Sequence, residues 1–364
     1  MSRIYVAGLG AVSPAGWGIA AFRQAVEKRT PLPIDPLERP GWEKPLRARL
    51  IPAPVARPAS MSHPRLRRAS PITHYAAAAA LEALSGLQAG PDSANRVGLI
   101  VCLQSGCVRY SYRFFEEVLA DPATASPLLF PETVFAAPAS HAAALLVNTP
   151  LVYTLIGDPA SFVQALALGA AWLLQERVDT CLIVGAEEIN WLRADALWHL
   201  EHAAIISGGA GALSLCRDPA LSMGVELERV TEAHSFSARK NRTQAARAMR
   251  AELGEGVAGE LLCDGLGDSP RADGPEKAAW SDWVGPRFSV KRILGEGLMA
   301  ASAWQCVAAC DAVATGRFPA AIASLVGCNQ QAIGSRFLAC SKTGHRTCSE
   351  AKAVGSCLRI GRPG

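Results

Sequence analysis

Two stretches of this chain read as helices that offer almost no polar face to water. Residues 151–188, "LVYTLIGDPASFVQALALGAAWLLQERVDTCLIVGAEE", read as strand, sharp turn, apolar helix and second strand. Residues 288–314, within "RFSVKRILGEGLMAASAWQCVAACDAVATG", repeat that grammar with a glycine turn and a long Ala-rich helix. A helix that is apolar nearly all round must be enclosed by other elements. Continuous Val/Ile/Leu strands such as "GLIVCL" point to a sheet covered on both faces. An α/β stack of five layers, with the two helices sandwiched between two sheets, meets both demands. The repetition predicts two duplicated halves, residues 1–220 and 221–364.

The 364 residues are half hydrophobic, which is ample for such a core. The formal net charge of +4 is small, so a general nucleic-acid role is not expected. Eleven cysteines occur with no CxxC pair and no zinc-finger spacing. Most sit in apolar runs and read as small buried hydrophobes of a reduced cytosolic protein. Neither a metal nor a cofactor is expected. The segment "MSRIYVAGLGAVSPAG" is broken by Gly and Pro and does not read as a signal peptide. The longest apolar run, 160–174, contains Ser161 and Gln164 and is short for a bilayer span. A soluble cytoplasmic protein is the expectation.

Along the chain, "RIYVAGLGAV" reads as a buried strand running into a Gly-rich turn. Residues 30–65, rich in Pro and Arg, read as an irregular surface excursion. "SPITHYAAAAALEALSGL" is a helix with Ser70 as N-cap and Pro71 at its first position. "RVGLIVCLQSG" is a strand, and "CVRYSYRFFEEVLADPATASPLLFPETVF" reads as a polar and aromatic loop before the Ala-rich helix "ASHAAALLV". Later, "GGAGALSLC", "MGVELERVTEAHS" and "GELLCDGLGD" read as strands and "TQAARAMRAEL" as a helix. "RFLACSKTG" and "AVGSCLRIG" read as closing strands.

In this order the segments resemble the β-ketoacyl synthase family of the thiolase fold, along nearly the whole chain. "VAGLGAVSPAG" is similar to that family's opening "VTGLGxVSPxG", and "RASPITHYAAAAALEAL" to its first long helix. "APASHAAALLVNTPLVYTL", with His141 and Pro150, "VDTCLIVGAEE" and "SGGAGALSLCRD" resemble further family segments. The resemblance implies a catalytic cysteine before the first buried helix, and here Pro159 holds that place. Asp264, in "LLCDGLGDSPRAD", stands on the family's first catalytic histidine. Glu296, in "VKRILGEGLMAAS", stands on the second, with Lys291 retained. The family's late loop "GFGGTN" has no match, and "KTGHRTCSEA" lies near that place.

The condensation such enzymes perform needs a thiolate to take the acyl group and imidazoles to donate hydrogen bonds to the enolate. It also needs backbone N–H groups at the helix mouth for the oxyanion. Proline brings neither sulfur nor N–H. Ionised Asp264 and Glu296 accept hydrogen bonds and cannot donate them. Asp158 then Pro159 is nevertheless a good helix start, an Asx cap followed by a residue that needs no N–H.

What the resemblance implies is therefore a catalytically inactive, chain-length-factor-like subunit. It would pair with an active ketosynthase and meet an acyl carrier protein, in type II fatty acid or polyketide biosynthesis. The family's dimer strand falls on Leu151, Val152, Tyr153, Thr154, Leu155 and Ile156. Arg65, Arg67 and Arg68 fall where relatives meet the acidic carrier protein, or form a solvated face. Phe162 stands where the family has a small residue, as a tunnel plug or as ordinary core packing.

Three other readings stay open on the residues. Asp264 and Glu296 could act as a carboxylate pair in hydrolysis or decarboxylation of an acyl thioester, with Ser161 as nucleophile and His141 or His345 as remote bases. A homodimeric scaffold could dock the carrier protein without shaping a product. Gly8-Leu9-Gly10 could open a dinucleotide site, although the third glycine and the distal acid of that motif are missing.

Overall fold

The computed structural model describes residues 3–55, 58, 62–87, 95–146, 148–237 and 241–340. The first half runs β1 (Tyr5–Ser13), β2 (Gly16–Trp17), α1 (Ile19–Lys28), β3 (Asp35–Leu37), β4 (Leu46–Arg49) and α2 (Pro71–Leu84). It continues with β5 (Val97–Leu103), α3 (Val108–Ala120), α4 (Ala137–Ala143), β6 (Leu151–Ile156), α5 (Ser161–Leu174), β7 (Thr180–Glu187), α6 (Trp191–Leu200), β8 (Ile206–Ser207) and β9 (Gly209–Cys216). The second half runs β10 (Val225–Val230), β11 (His234–Ser235), α7 (Arg242–Leu253), β12 (Leu261–Asp264), α8 (Pro270–Ala279), β13 (Arg287–Ser289), α9 (Val290–Leu294), α10 (Met299–Ala314), β14 (Ala320–Val326) and β15 (Gln331–Ala339).

The strand order β13-β12-β14-β15-β10-β1-β9-β7-β5-β6 repeats one pattern about its centre. In the first half β1 pairs antiparallel with β9 and β9 with β7, then β7, β5 and β6 run parallel. In the second half β10, β15 and β14 pair antiparallel, then β14, β12 and β13 run parallel. The two sheets are not separate. Two residue pairs, Tyr5 with Glu226 and Val6 with Val225, join β1 to β10 at the seam.

Helices α5 and α10 lie between the half-sheets, touching β7 and β9 on one side and β14 or β15 on the other. Fifteen of the sixteen residues of α10 are buried, as its unbroken apolar surface requires. Two of its polar side chains reach the flanking strands. Trp304 Nε1 donates to the carbonyls of Val12 and Ala210, and Gln305 Nε2 donates to that of Cys263 at 2.8 Å. Helices α2 and α4 cover the outer face of one half-sheet, and α7 with α8 the other. The result is the five-layer thiolase-like fold.

Several local expectations need correction. Gly8 and Gly10 lie inside β1, not in a turn. A Cβ at either would meet the carbonyl oxygens of Ala83 and Ala79 at 2.2 and 2.0 Å, so these glycines admit α2 against the strand. Nothing in that geometry offers a dinucleotide loop. The aromatic loop after β5 contains a thirteen-residue helix, α3, with no buried residue. Arg113 pairs with Glu117 at 3.1 Å along it, the buried Glu188 accepts from the N–H of Arg109 at 2.5 Å at its start, and Tyr112 and Phe114 meet the rings of Trp191 and Phe130.

The excursion at 30–65 carries β3 and β4, which join β8 in a small sheet over a core of Leu46, Ala48, Ala194 and Ile206. Arg39 fixes it, lying 3.7 Å from the Trp42 ring centre and paired with Asp195 of α6. Ser70 is the N-cap of α2, but its hydroxyl turns to Cys107 Sγ and Thr73, and the N–H of Ile72 donates to Glu188 instead. Residues 320–326, where no strand is expected, form β14, which pairs antiparallel with β15, the strand that holds "RFLA". The segments "KTGHRTCSEA" and "AVGSCLRIG" lie outside the described residues. Seven of the nine described cysteines are buried, Cys340 is partly so and Cys328 is exposed. Among the described residues, no helix is long and apolar enough to cross a membrane.

Candidate functional site

The strand–turn–helix unit expected from the sequence places Gly157, Asp158, Pro159 and Ala160 between β6 and α5. Asp158 is buried, and its carboxyl group points into the helix mouth. Oδ1 accepts the N–H of Ala160 at 3.1 Å, an Asx turn just ahead of α5; the helix itself begins two residues later than the expected start, with Ala160 as its N-cap and no side-chain cap bond. Oδ2 accepts the N–H groups of Gln330 at 3.1 Å and Asn329 at 3.4 Å. Those two belong to the turn Gly327–Gln330 between β14 and β15, a segment far from Asp158 in sequence. Burial pushes the Asp158 carboxyl up, and the N–H donors pull it back only in part. The donors that converge on the helix mouth are thus occupied by a side chain of the protein itself.

Around this mouth opens a cavity of about 680 Å³, lined by Pro159, Ala160, Gln104, Cys328, Lys291 and Glu296 among others. No histidine lines it among the described residues. Cys328 places a thiol in the same space as Pro159. The crowding cavity walls, then the charges of Asp158 and Glu296, raise its pKa, so it stays a neutral thiol near pH 7. Gln104 Nε2 donates to its sulfur at 3.8 Å.

Asp264 and Glu296 are each engaged by different partners. Asp264 is fully buried and forms an ion pair with Arg287, while Ser289 Oγ and the N–H of Leu266 donate to its Oδ1 at 2.5 and 3.0 Å. Glu296 faces Lys291 Nζ at 2.7 Å and accepts the N–H of Leu298 at 2.8 Å. That second bond holds Leu298 at a φ of 49°, a strained backbone for a branched residue at the mouth of α10. Burial lowers the pKa of Lys291, but Glu296 more than restores it, leaving a firm ammonium. Each of the two acids therefore has its own cation, Arg287 for Asp264 and Lys291 for Glu296.

The carboxyl that interacts with Asp264 is Glu276 of α8, for which the sequence carried no signal. Burial, then the charge of Asp264, pushes Glu276 up to about 8, so it is protonated at neutral pH. It bonds Ser324 Oγ and accepts the N–H of Gly265 at 3.1 Å. Ser161, weighed as a nucleophile, is buried, and its Oγ accepts from Gln331 Nε2 at 3.3 Å. His141 pairs with Glu132 at 2.9 Å, and His345 lies outside the described residues. Phe162 is fully buried in the main core; a Cβ on Gly185 of β7 would meet its ring at 2.8 Å. The "GAEE" segment also has a physical role. Glu187, paired with Arg193 at 3.4 Å, accepts the N–H groups of Gln104 and Ser105 and so fixes one wall of the cavity.

Other predicted positions lie on the outside. Strand β6 ends the strand order, with Val152, Tyr153 and Ile156 exposed at 44%, 48% and 55%. Phe115, Leu119, Leu128 and Phe130, from α3 and the segment after it, are exposed as well. Arg65, Arg67 and Arg68 are exposed around a short 3₁₀ turn, without an ion pair among the described residues.

No protein-family model and no curated protein matches the sequence. Solved structures do match. A β-ketoacyl synthase from Burkholderia phymatum STM815 superposes with a TM-score of 0.79 at 17% identity, covering 94% of this chain and 100% of that one. The ishigamide ketosynthase/chain length factor gives 0.76 at 17% identity, covering 93% and 100%. A type II polyketide synthase acyl-carrier protein in complex with its ketosynthase gives 0.73 at 16% identity, covering 93% and 99%. The chain thus has the thiolase-like fold of ketosynthases and chain length factors.

Proposed function

We propose that this chain is a non-catalytic ketosynthase-like subunit of the chain-length-factor type. It pairs with an active ketosynthase and meets an acyl carrier protein during type II fatty acid or polyketide biosynthesis. One observation carries this reading: the helix mouth holds Pro159 in place of a thiol, and Asp158 occupies the N–H donors an oxyanion would use. The ion-paired Asp264 and Glu296 add no hydrogen-bond donor for an enolate.

The pairing surface is the free edge of β6. An exposed edge with apolar side chains invites a further strand. Phe115, Leu119, Leu128 and Phe130 extend the apolar area that a partner would cover. Arg65, Arg67 and Arg68 supply positive charge for an acidic carrier protein. Residues 1–220 and 221–364 serve as the two duplicated halves of this subunit.

Co-expression with a neighbouring ketosynthase, followed by native mass spectrometry, tests the reading. A one-to-one complex is expected, with no β-ketoacyl product from this chain alone. Homodimers only, with no ketosynthase recruited, would sink it and favour a homodimeric carrier-binding scaffold. Turnover of an acyl thioester by this chain alone would point to the altered-chemistry alternative.

A further inference from the structure

The cavity at the helix mouth is not electrostatically balanced. Arg193, Lys291 and Arg292 line it, and each has a carboxylate: Glu187 at 3.4 Å, Glu296 at 2.7 Å and Asp268 at 2.9 Å. Arg49, Arg242 and Arg271 line it too, and none has an ion pair among the described residues. Of the lining acids, Asp273 faces Lys277 at 3.5 Å, and Glu201 is left without a cation among the described residues. Three unpaired cations therefore share the space with one unpaired carboxylate.

Arg242 has the most to gain from an anion. It begins α7 with its guanidinium 6.0 Å from the Phe236 ring centre, and one terminal nitrogen donates to the Val326 carbonyl at 3.3 Å. Its Nε is buried and has no hydrogen-bond partner. A buried donor on a cation that finds no acceptor is costly. Burial also lowers the Arg242 pKa, which shows the same desolvation. The carboxyls nearest in charge are already engaged, Asp158 by backbone N–H groups and Glu276 by Ser324 and Gly265.

Part of the wall is apolar, with Leu197, Leu200, Ile205, Leu298 and Val326 among the lining residues. A volume of about 680 Å³ is within the range of small-molecule sites. Unpaired arginine beside apolar walls suits an amphiphile with an anionic head. A thioester carbonyl is neutral, and the N–H groups that would polarise it are taken. We propose that the cavity binds a free single-chain acyl carboxylate, its head on Arg242 and its tail along the wall formed by Leu197 and Leu200. This site does not require a partner subunit, so it stands or falls apart from the pairing reading.

Calorimetric titration of the full chain with decanoate, 1-decanol, decyltrimethylammonium and phosphopantetheine tests this. Decanoate should bind at least tenfold more tightly than decanol, and the cation not at all. Arg242→Gln should weaken decanoate at least tenfold and leave decanol unchanged, while Arg242→Lys keeps most of the affinity. Bound decanoate should also shield Cys328, in the same cavity, from alkylation. Equal affinity for decanoate and decanol, unchanged decanoate affinity in Arg242→Gln, or binding of phosphopantetheine but not decanoate would overturn the proposal. If Arg242→Gln melts early, the head-group comparison and Cys328 protection in the unaltered protein decide it.

Discussion

A Cβ added at Gly327 would lie 1.9 Å from Oδ2 of Asp158, a residue far away in sequence. The missing side chain at one position makes room for the carboxyl group at the other. That carboxyl in turn accepts the N–H groups of Asn329 and Gln330, on the turn Gly327 begins. The two residues form one closure across the two halves of the fold.

Gly327→Ala should therefore destabilise the protein by about 1–3 kcal/mol through overpacking. Asp158→Ala, which strands the N–H donors, should cost a similar amount. The double variant should cost less than the sum, with a coupling of about 0.5 kcal/mol or more, because the clash needs both groups. Urea unfolding of the four proteins measures this, and strict additivity would refute the closure.

Pro159→Cys should not restore condensation. The new thiol would lie at the helix mouth, but Asp158 would still hold the Ala160, Asn329 and Gln330 N–H groups, and no histidine among the described residues lines the cavity. The check is an assay with acyl- and malonyl-carrier protein. β-Ketoacyl product from that single variant would show that the closure does not block the chemistry.

Glu276 makes stability depend on pH. Its folded pKa of about 8 lies above its ordinary value of 4.5, so between these the native state holds a proton the unfolded chain has released. That contribution is fully present below about pH 4.5 and is lost as pH rises through 8, at no more than about 1.4 kcal/mol per pH unit. Glu276→Gln should flatten the decline between pH 6 and 8.5. An identical pH profile in the variant would count against a protonated Glu276.

Charge on the free edge should block association while sparing the fold. Tyr153→Lys with Ile156→Glu alters two exposed side chains, so stability should change by about 0.5 kcal/mol or less. The ketosynthase complex should nonetheless be lost in native mass spectrometry. A complex of undiminished strength would place the interface elsewhere.

Among the nine described cysteines, Cys328 should be the first alkylated under native conditions, since seven are buried and Cys340 is partly so. At pH 7.5 it should still react more slowly than a free thiol, because its raised pKa keeps the thiolate scarce. Peptide mapping after timed alkylation reads both. Faster reaction than free cysteine would reveal an activated nucleophile.

The sequence by itself determined the enclosed helices, the duplicated strand–turn–helix grammar and the residue types at Pro159, Asp264 and Glu296, none of which brings a thiol or an imidazole. These are legible because burial all round a helix and the chemistry of a side chain are local properties of the letters. It did not reveal α3, whose exposed apolar face follows neither a buried-helix nor a strand pattern, nor β14, whose "AAIASLV" is too rich in Ala for a clear strand signal. Only the tertiary structure decided that Asp158 meets the Gly327–Gln330 turn, that Asp264 and Glu296 bind separate cations, and that Glu276 and Arg242 stand beside the site. Each of those is a contact between segments distant in sequence. Packing brings such groups together, and their charge states follow from the burial and neighbours that packing supplies.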